Sequence, residues 1–223
     1  ASQDHHQHKL YNSEIASYAL NAISFSWAVY AFSNGHFPST ILSRNLPFRI
    51  TLACDVTASG RSLFGEFAPD ATVFSSGNDL LHHIRSSGDR SIVHGYLINT
   101  VRFRTSDITS RFWKLQYAII TQLRLIRALN IVVAIVIKDH DGEQVLQFRK
   151  ELELNHWKVS TQQVSYNNIG DTVADHCVII IAIHKSCENN SESLILVTPP
   201  VIPPKPIGAF LYTPFNRPDH SVS

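Results

Sequence analysis

Seven consecutive apolar residues, Ile131-Val132-Val133-Ala134-Ile135-Val136-Ile137, run without any polar alternation. A strand with one wet face would alternate, so this run predicts a strand covered on both faces, as in a parallel sheet flanked by helices. The turn Asp139-His140-Asp141-Gly142 closes it. A helical pattern follows from Glu143 to Asn155, then a strand-like run from Trp157 to Tyr166. After a polar loop comes a second apolar run, Cys177-Val178-Ile179-Ile180-Ile181-Ala182-Ile183-His184. The last two runs lie too close together for a helical crossover, so they are expected to pair antiparallel. The chain is therefore read as α/β: a mostly parallel sheet with a C-terminal antiparallel hairpin and helices on both faces.

With 223 residues, 44% of them hydrophobic, the chain can bury one α/β core and is short for two. The organisation expected is a polar tail over 1–11, a single domain over 12–198 and a proline-rich extended tail over 199–223. That tail holds five prolines in the eight residues Pro199 to Pro206. Such a segment cannot join a central strand and favours polyproline-like extension. A net charge of +1 excludes a broadly basic surface, so any polyanion contact must be local. Cys54, Cys177 and Cys187 form no CxxC pair, and their odd number suits reduced thiols in an intracellular compartment. No apolar run is long enough to span a membrane. The chain contains no Met and starts at Ala1, which leads us to expect a segment of a longer polypeptide.

In chain order, His5, His6 and His8 read as incidental to a polar terminus rather than as metal ligands. From Asn12 or Ser13 the spacing of Ile15, Tyr18, Ala19, Ala22, Ile23, Trp27 and Tyr30 predicts a helix to about Phe32. Phe48 to Cys54 is then expected to be the first sheet strand, ended by Asp55. In a doubly wound sheet the turn after the first strand meets a cofactor. Asp55, Thr57, Ser59 and Gly60 are accordingly the candidate cofactor contacts, against the alternative of a plain strand-to-helix turn. Ala71 to Phe74 predicts a short strand, with Ser75-Ser76-Gly77-Asn78 capping a helix from Asp79 to about Ser86. His82 and His83, being adjacent, diverge on that helix and make no two-ligand site. A further strand is expected over Ser91 to Leu97, with Gly95 near its C-terminal end. His94 and His176 lie at strand ends and carry no assigned role.

A long helix is predicted from a cap at Ser106 or Asp107 to about Ala128, with Ile108, Phe112, Leu115, Ile119, Leu123 and Ile126 as its apolar stripe. Arg102, Arg104, Arg111, Lys114, Arg124 and Arg127 form the densest basic cluster in the chain. They fit a solvated face with Arg124 and Arg127 near the helix C-terminus. They also fit a nucleic-acid contact surface. In the following helix Val145, Phe148 and Leu152 are expected to be buried, with Leu146 and Leu154 as further candidates and Asp141 as its cap. Leu194 to Val197 reads as a last short strand.

Taken together, residues 130–184 resemble the corresponding stretch of the C5-cytosine DNA methyltransferases. Ile131 to Lys138 occupies the place of that family's strand ending in a Glu-Asn-Val motif. Phe148 to Ser160 resembles its next helix and strand, and Val164 to Gly170 with Val178 to His184 resembles the segment around its Gln-x-Arg-x-Arg motif. The resemblance implies a Rossmann-like, methyltransferase-type sheet and S-adenosylmethionine as the cofactor. Its motifs are degenerate here. The Pro-Cys nucleophile has no counterpart at Gly95-Tyr96-Leu97-Ile98-Asn99, and the base-pairing glutamate falls near Ile135. The motif arginines fall at Asp175 and Cys177, and the glycine-rich loop is reduced to Asp55 through Gly60. A thiolate must attack cytosine C6, and no neighbouring side chain replaces it.

The expectation is therefore a catalytically inactive, DNA-methyltransferase-like domain, binding nucleic acid or scaffolding other parts of a larger polypeptide such as a retroelement polyprotein. The alternatives are an active S-adenosylmethionine-dependent enzyme of a non-C5 class and a purely protein-binding module.

Overall fold

The computed structural model describes residues 25–31, 48–100, 103, 105–137, 142–165 and 176–187. In chain order these form β1 (Phe25–Ala31), β2 (Phe48–Asp55), α1 (Ala58–Phe67), β3 (Thr72–Phe74), α2 (Gly77–Ser86) and β4 (Gly95–Asn99). A 3-10 turn (Thr105–Asp107) then leads to α3 (Ser110–Arg127), β5 (Ile131–Ile137), α4 (Glu143–Leu154), β6 (Trp157–Ser165), β7 (His176–His184) and a final 3-10 turn (Lys185–Cys187). The seven strands order as β3-β2-β1-β4-β5-β7-β6. All neighbours from β3 to β5 pair parallel, whereas β7 runs antiparallel to both β5 and β6. The expected α/β class, parallel majority and terminal hairpin are therefore present.

The N-terminal half corrects the sequence reading. The helix expected up to Phe32 is instead a strand over Phe25–Ala31, with residues 12–24 outside the described residues. Ala28, Val29, Tyr30 and Ala31 are all buried because β1 lies between β2 and β4 with side chains packed on both faces. Two-sided burial erases alternation, and Trp27, Tyr30 and the alanines also fit a 3.6-residue period. Phe48–Asp55 is consequently the second strand. The strand expected over Ser91 to Leu97 is shifted to Gly95–Asn99, so Gly95 opens it rather than closing it. The long helix is capped by Thr109, whose hydroxyl accepts from Phe112 N–H, rather than by Ser106 or Asp107. Gly142 takes the cap position of α4 without a side-chain bond, and Asp139 to Asp141 lie outside the described residues. Leu146 and Leu154 on α4 are exposed, while Val145, Phe148 and Leu152 are buried. The tails 1–11 and 199–223 and the strand expected at Leu194 to Val197 lie outside the described residues.

The core sits on the two sides of the sheet. Ala28, Tyr30, Leu52, Cys54, Tyr96, Ile98, Val132, Ala134, Val136 and Ile180 pack against α2, α3 and α4 through Leu80, Ile84, Ile119, Leu123, Phe148 and Leu152. On the other side, Val29, Ala31, Ile50, Ala53 and Leu97 pack against Phe64 and Ala68 at α1. Ile50 and Ala53 share a face although they lie an odd three positions apart. The register slips there: Trp27 aligns with Ile50 but Ala28 with Leu52, leaving Thr51 as an extra residue. That bulge resets the parity of β2, so its apolar positions do not alternate in sequence.

Two contacts fix the central strands. Gly95 aligns with Trp27, and a Cβ at Gly95 would lie 2.5 Å from the indole Cε2. At the far end of α3, Arg127 is 1% exposed and donates to the Asp89 carboxylate at 2.9 Å, to Ser91 Oγ at 2.9 Å and to Ser87 Oγ at 3.3 Å. It ties the loop before β4 to the end of α3, and Val93 N–H donating to the Arg127 carbonyl closes the same junction. The Asp89 carboxyl is held below its ordinary pKa, mainly by Ser91 N–H, then by the Ser91 hydroxyl and Arg127.

Gly95→Ala is expected to lower stability by about 1–3 kcal/mol, because the added methyl meets the face of the indole ring and forces it to shift; denaturant unfolding measures it. Asp89→Asn is expected to cost roughly 1–3 kcal/mol at neutral pH by leaving a buried guanidinium without its carboxylate. A depressed carboxylate pKa stabilises above the unfolded value near 4 and is lost as pH falls through the folded value. The gap between Asp89→Asn and the parent should therefore narrow below about pH 4 in a pH series of thermal melts.

Candidate ligand-binding edge

The carboxyl ends of β1, β2, β4 and β5 share one edge. The chain moves from β1 toward β2 and β3, then restarts at β4 on the other side of β1 and moves toward β5. The crevice outside the strand ends at such a reversal is where open α/β sheets bind ligands. Here Ala31, at the end of β1, is aligned with Asp55 of β2 and with Asn99 of β4. The buried polar residues follow the same geography. Asp55, Asn99 and Thr100 cluster at this edge, whereas Gln116 and Arg127 lie on α3.

Asp55 builds the turn that leaves β2. Its Oδ1 accepts from Thr57 N–H at 2.8 Å and from the Thr57 hydroxyl at 2.6 Å. Thr57 Oγ1 in turn accepts from Gly60 N–H at 3.1 Å, capping α1. Arg61 donates to the Asp55 carbonyl at 3.0 Å. Of the four candidate cofactor contacts, Thr57 and buried Gly60 thus form the helix cap, Ser59 stands exposed on the first turn of α1, and Asp55 lies buried at the strand end. The reason for choosing them needs correction too. The turn lies after the second strand, and the connection after β1, residues 32–47, is outside the described residues.

The sequence reading missed the other wall. Thr100 donates both its N–H and its hydroxyl to the Ile135 carbonyl at 3.0 Å each, joining the end of β4 to β5. Below the edge, Tyr30, Phe103 and Phe112 form an aromatic floor, with centroids 5.3–6.2 Å apart. Gly77 opens α2 against Tyr30 and Leu115; a Cβ there would lie 2.9 and 2.8 Å from their nearest atoms. Its cap Ser76 accepts from Asp79 N–H and donates to the Asp79 carboxylate at 2.7 Å. A signal existed for this wall: a polar pair, Asn99-Thr100, directly after an apolar strand.

Electrostatics makes the edge unsuited to a thiolate. Burial and the neighbouring Asp55 push the Cys54 thiol up to about 12, so it stays protonated at neutral pH. Burial also raises the Tyr30 and Tyr96 phenols, and Tyr96 donates to Gln116 Oε1 at 2.6 Å. In a timed thiol titration of the folded protein, exposed Cys187 should react promptly and Cys54 only on unfolding. Prompt reaction of Cys54 would contradict this picture.

The six basic residues proposed for nucleic-acid contact do not form one surface. Arg111 and Lys114 are exposed near the start of α3, and Arg102 and Arg104 lie outside the described residues. Arg127 must be removed from the set, since it is buried and bonded to Asp89. Arg124 is half-buried and donates to the Leu129 carbonyl, Asn130 Oδ1 and Ser186 Oγ at the opposite end of the helix. Among the described residues, no helix is long and apolar enough to cross a membrane.

No family model matches the sequence, and no curated protein matches it. Solved structures do. One is described as a DNA modification methyltransferase encoded within a prophage (E. coli), with TM-score 0.59 and 11% identity over 85% of this chain and 55% of that one. The S. pombe Dnmt2 methyltransferase aligns with TM-score 0.56 and 9% identity over 76% of this chain and 52% of its own. A Spodoptera frugiperda DNMT2 mutant gives 0.54 and 12% over 81% and 57%. The chain spans about half the length of these neighbours. Its seven-stranded sheet has the methyltransferase-like α/β fold.

Proposed function

We propose that this domain is a methyltransferase-like binding module that accepts S-adenosylmethionine at the carboxyl edge of its sheet and does not methylate cytosine at C5. The observation that carries the reading is Asp55. It is a carboxylate buried at the end of β2, in register with the end of β1 at the topological switch. In dinucleotide-binding sheets an acidic residue some 20 positions beyond the first strand takes a ribose hydroxyl. Asp55 stands at the comparable place for the ribose of an adenosyl ligand. When bound, that ligand supplies an activated methyl group. The protein would hold the ribose through Asp55 and close the pocket over the aromatic floor of Tyr30, Phe103 and Phe112.

The reading against cytosine chemistry rests on the segment after β4. Residues 100–109, Thr-Val-Arg-Phe-Arg-Thr-Ser-Asp-Ile-Thr, contain neither Cys nor Pro. Cys54 sits at the end of a different strand with its thiol held protonated. A second reading, methyl transfer to another acceptor, is favoured by one feature, the polar Asn99 at the end of β4 beside the switch.

Thermal melting and calorimetry with S-adenosylmethionine test the proposal. Ligand at a hundred times its dissociation constant should stabilise the fold by about 2.7 kcal/mol. For a domain of this size that raises Tm by roughly 5–10 °C. Asp55→Asn keeps an acceptor for Thr57 and removes the charge, so it should retain the parent fold and lose most of the ligand-induced shift. Absence of any shift with the parent chain would reject the ligand. Labelled methyl transfer to cytosine-containing duplex should stay at background, and incorporation at C5 would overturn the second half of the proposal.

A further inference from the structure

The opposite edge of the sheet gathers positive charge that the sequence scatters. There the entries to β4, β5 and β6 and the exit of β7 form one row of backbone hydrogen bonds. His94 N–H donates to Ser26 O, Asn130 N–H to His94 O, His184 N–H to Asn130 O and Lys185 N–H to His156 O. Helices α2, α3 and α4 all end at this edge, where Arg85, the loop residue Arg90, Arg124, Lys158 and Lys185 fall; the end of α3 joins two of the loops, Arg127 bonding Asp89 next to Arg90 and Arg124 bonding Ser186 next to Lys185. Among the described residues, Glu151 and Glu153 in the last turn of α4 and Glu66 in the last turn of α1 are carboxylates there, while Asp70 pairs with Arg49 and Asp89 with buried Arg127. The named cations outnumber the carboxylates by more than the net +1 of the whole chain, so the rest of the molecule is net negative. Arg85, Arg90 and Lys185 are exposed, and none makes an ion pair among the described residues.

Part of this charge answers the negative ends of α2 and α3. Arg124 does so directly, by donating to the Leu129 carbonyl beyond α3. Helix ends do not account for Arg90, in the loop after α2, or for Lys185, which follows a strand. We propose that this edge, opposite the ligand-binding edge, docks the phosphate backbone of a nucleic acid through Arg85, Arg90 and Lys185, with Arg124 and the histidines His94, His156 and His184 alongside. The span from β4 to β6 covers three strand spacings, about 14 Å, which matches roughly four nucleotides of a strand rising 3.4 Å each. Nucleic acid is favoured over a flat anionic surface because the cations follow one row. The proposal replaces the start of α3 as the contact face: Arg111 lies 13 residues from Arg124, about 20 Å along the helix.

The histidines supply neutral ring groups along the same row. His184 faces Arg124, His156, Ser186 and the Trp157 ring, and its Nδ1 accepts from Ser186 N–H. Burial, then Arg124 and His156, lower its pKa, so it is neutral at pH 7. His94 Nδ1 accepts from Ser26 N–H, with the Phe25 ring edge against it.

Fluorescence anisotropy of the full chain with labelled single-stranded and duplex oligonucleotides tests this. Binding should weaken steeply between about 50 and 200 mM salt, and Arg85→Gln with Arg90→Gln and Lys185→Gln should reduce the log–log salt slope by roughly 2–3 on duplex. At fixed low salt that triple variant should lose tenfold or more in affinity. Arg111→Gln with Lys114→Gln should bind within about twofold of the parent. Arg90→Glu alone is the second variant should the triple variant melt early, and it should also weaken binding. The proposal is overturned if the parent shows no salt-dependent binding, or if the well-folded variants bind like the parent. It is equally overturned if the Arg111 and Lys114 pair carries the affinity, or if anionic phospholipid vesicles are bound and oligonucleotides are not. None of these readouts depends on S-adenosylmethionine, so they remain separate from the test of the other edge.

Discussion

Everything in this molecule depends on β1, β4 and β5 having no free face and no free edge. Each is hydrogen-bonded on both sides and packed above and below, so its backbone polar groups are satisfied only by its neighbours' register. Such strands cannot be joined by hairpins and need crossovers, which place α1 on one face and α2, α3 and α4 on the other. The tightest point of that arrangement is the Trp27 indole lying across Gly95. A side chain there would displace the indole from the groove between β1 and β4, the two strands that define the switch.

The same two-sided burial explains which parts of the fold were legible from sequence. β5 and β7 announced themselves because runs of Ile and Val broken only by a single Ala admit little else. The hairpin followed from a spacing too short for a crossover. β1 was misread because Phe25-Ser26-Trp27-Ala28-Val29-Tyr30-Ala31 satisfies two periods at once, and only the neighbours β2 and β4 decide between them. Once β1 was lost, the strand count slipped by one and Phe48–Asp55 was taken for the first strand.

That slip had an instructive consequence for the candidate site. Asp55 was chosen as part of a first-strand turn, yet it ends the second strand, where an acidic side chain has a different use. Thr57 and Gly60, chosen with it, form a helix cap, a local job any strand-to-helix turn requires. Asn99 and Thr100 escaped notice because their significance comes from tertiary alignment: the end of β4 matters only once it is known to lie beside the end of β1. The basic helix was legible as a composition and illegible as a surface. A helix of 18 residues is about 27 Å long, and sequence proximity hides the fact that Arg111 and Arg124 serve opposite ends of the domain.

Those ends differ in kind for a reason rooted in topology. In a parallel sheet every crossover helix runs back against the strands, so helix N-termini collect at the carboxyl edge of the strands and helix C-termini at the other. The carboxyl edge therefore presents donors and tolerates a buried carboxylate such as Asp55, stabilised by N–H and hydroxyl groups of the turn. The opposite edge presents the negative ends of α2, α3 and α4, and α2 and α3 answer theirs with arginines in the last turn. Arg127 shows how far that preference extends: a guanidinium 1% exposed is tolerated at the end of α3 because Asp89, Ser87 and Ser91 surround it. Once helix ends have drawn cations to one edge, additional residues such as Arg90 and Lys185 turn a structural habit into a surface with its own field. A near-neutral chain can in this way present two chemically opposed ends without any bulk excess of charge.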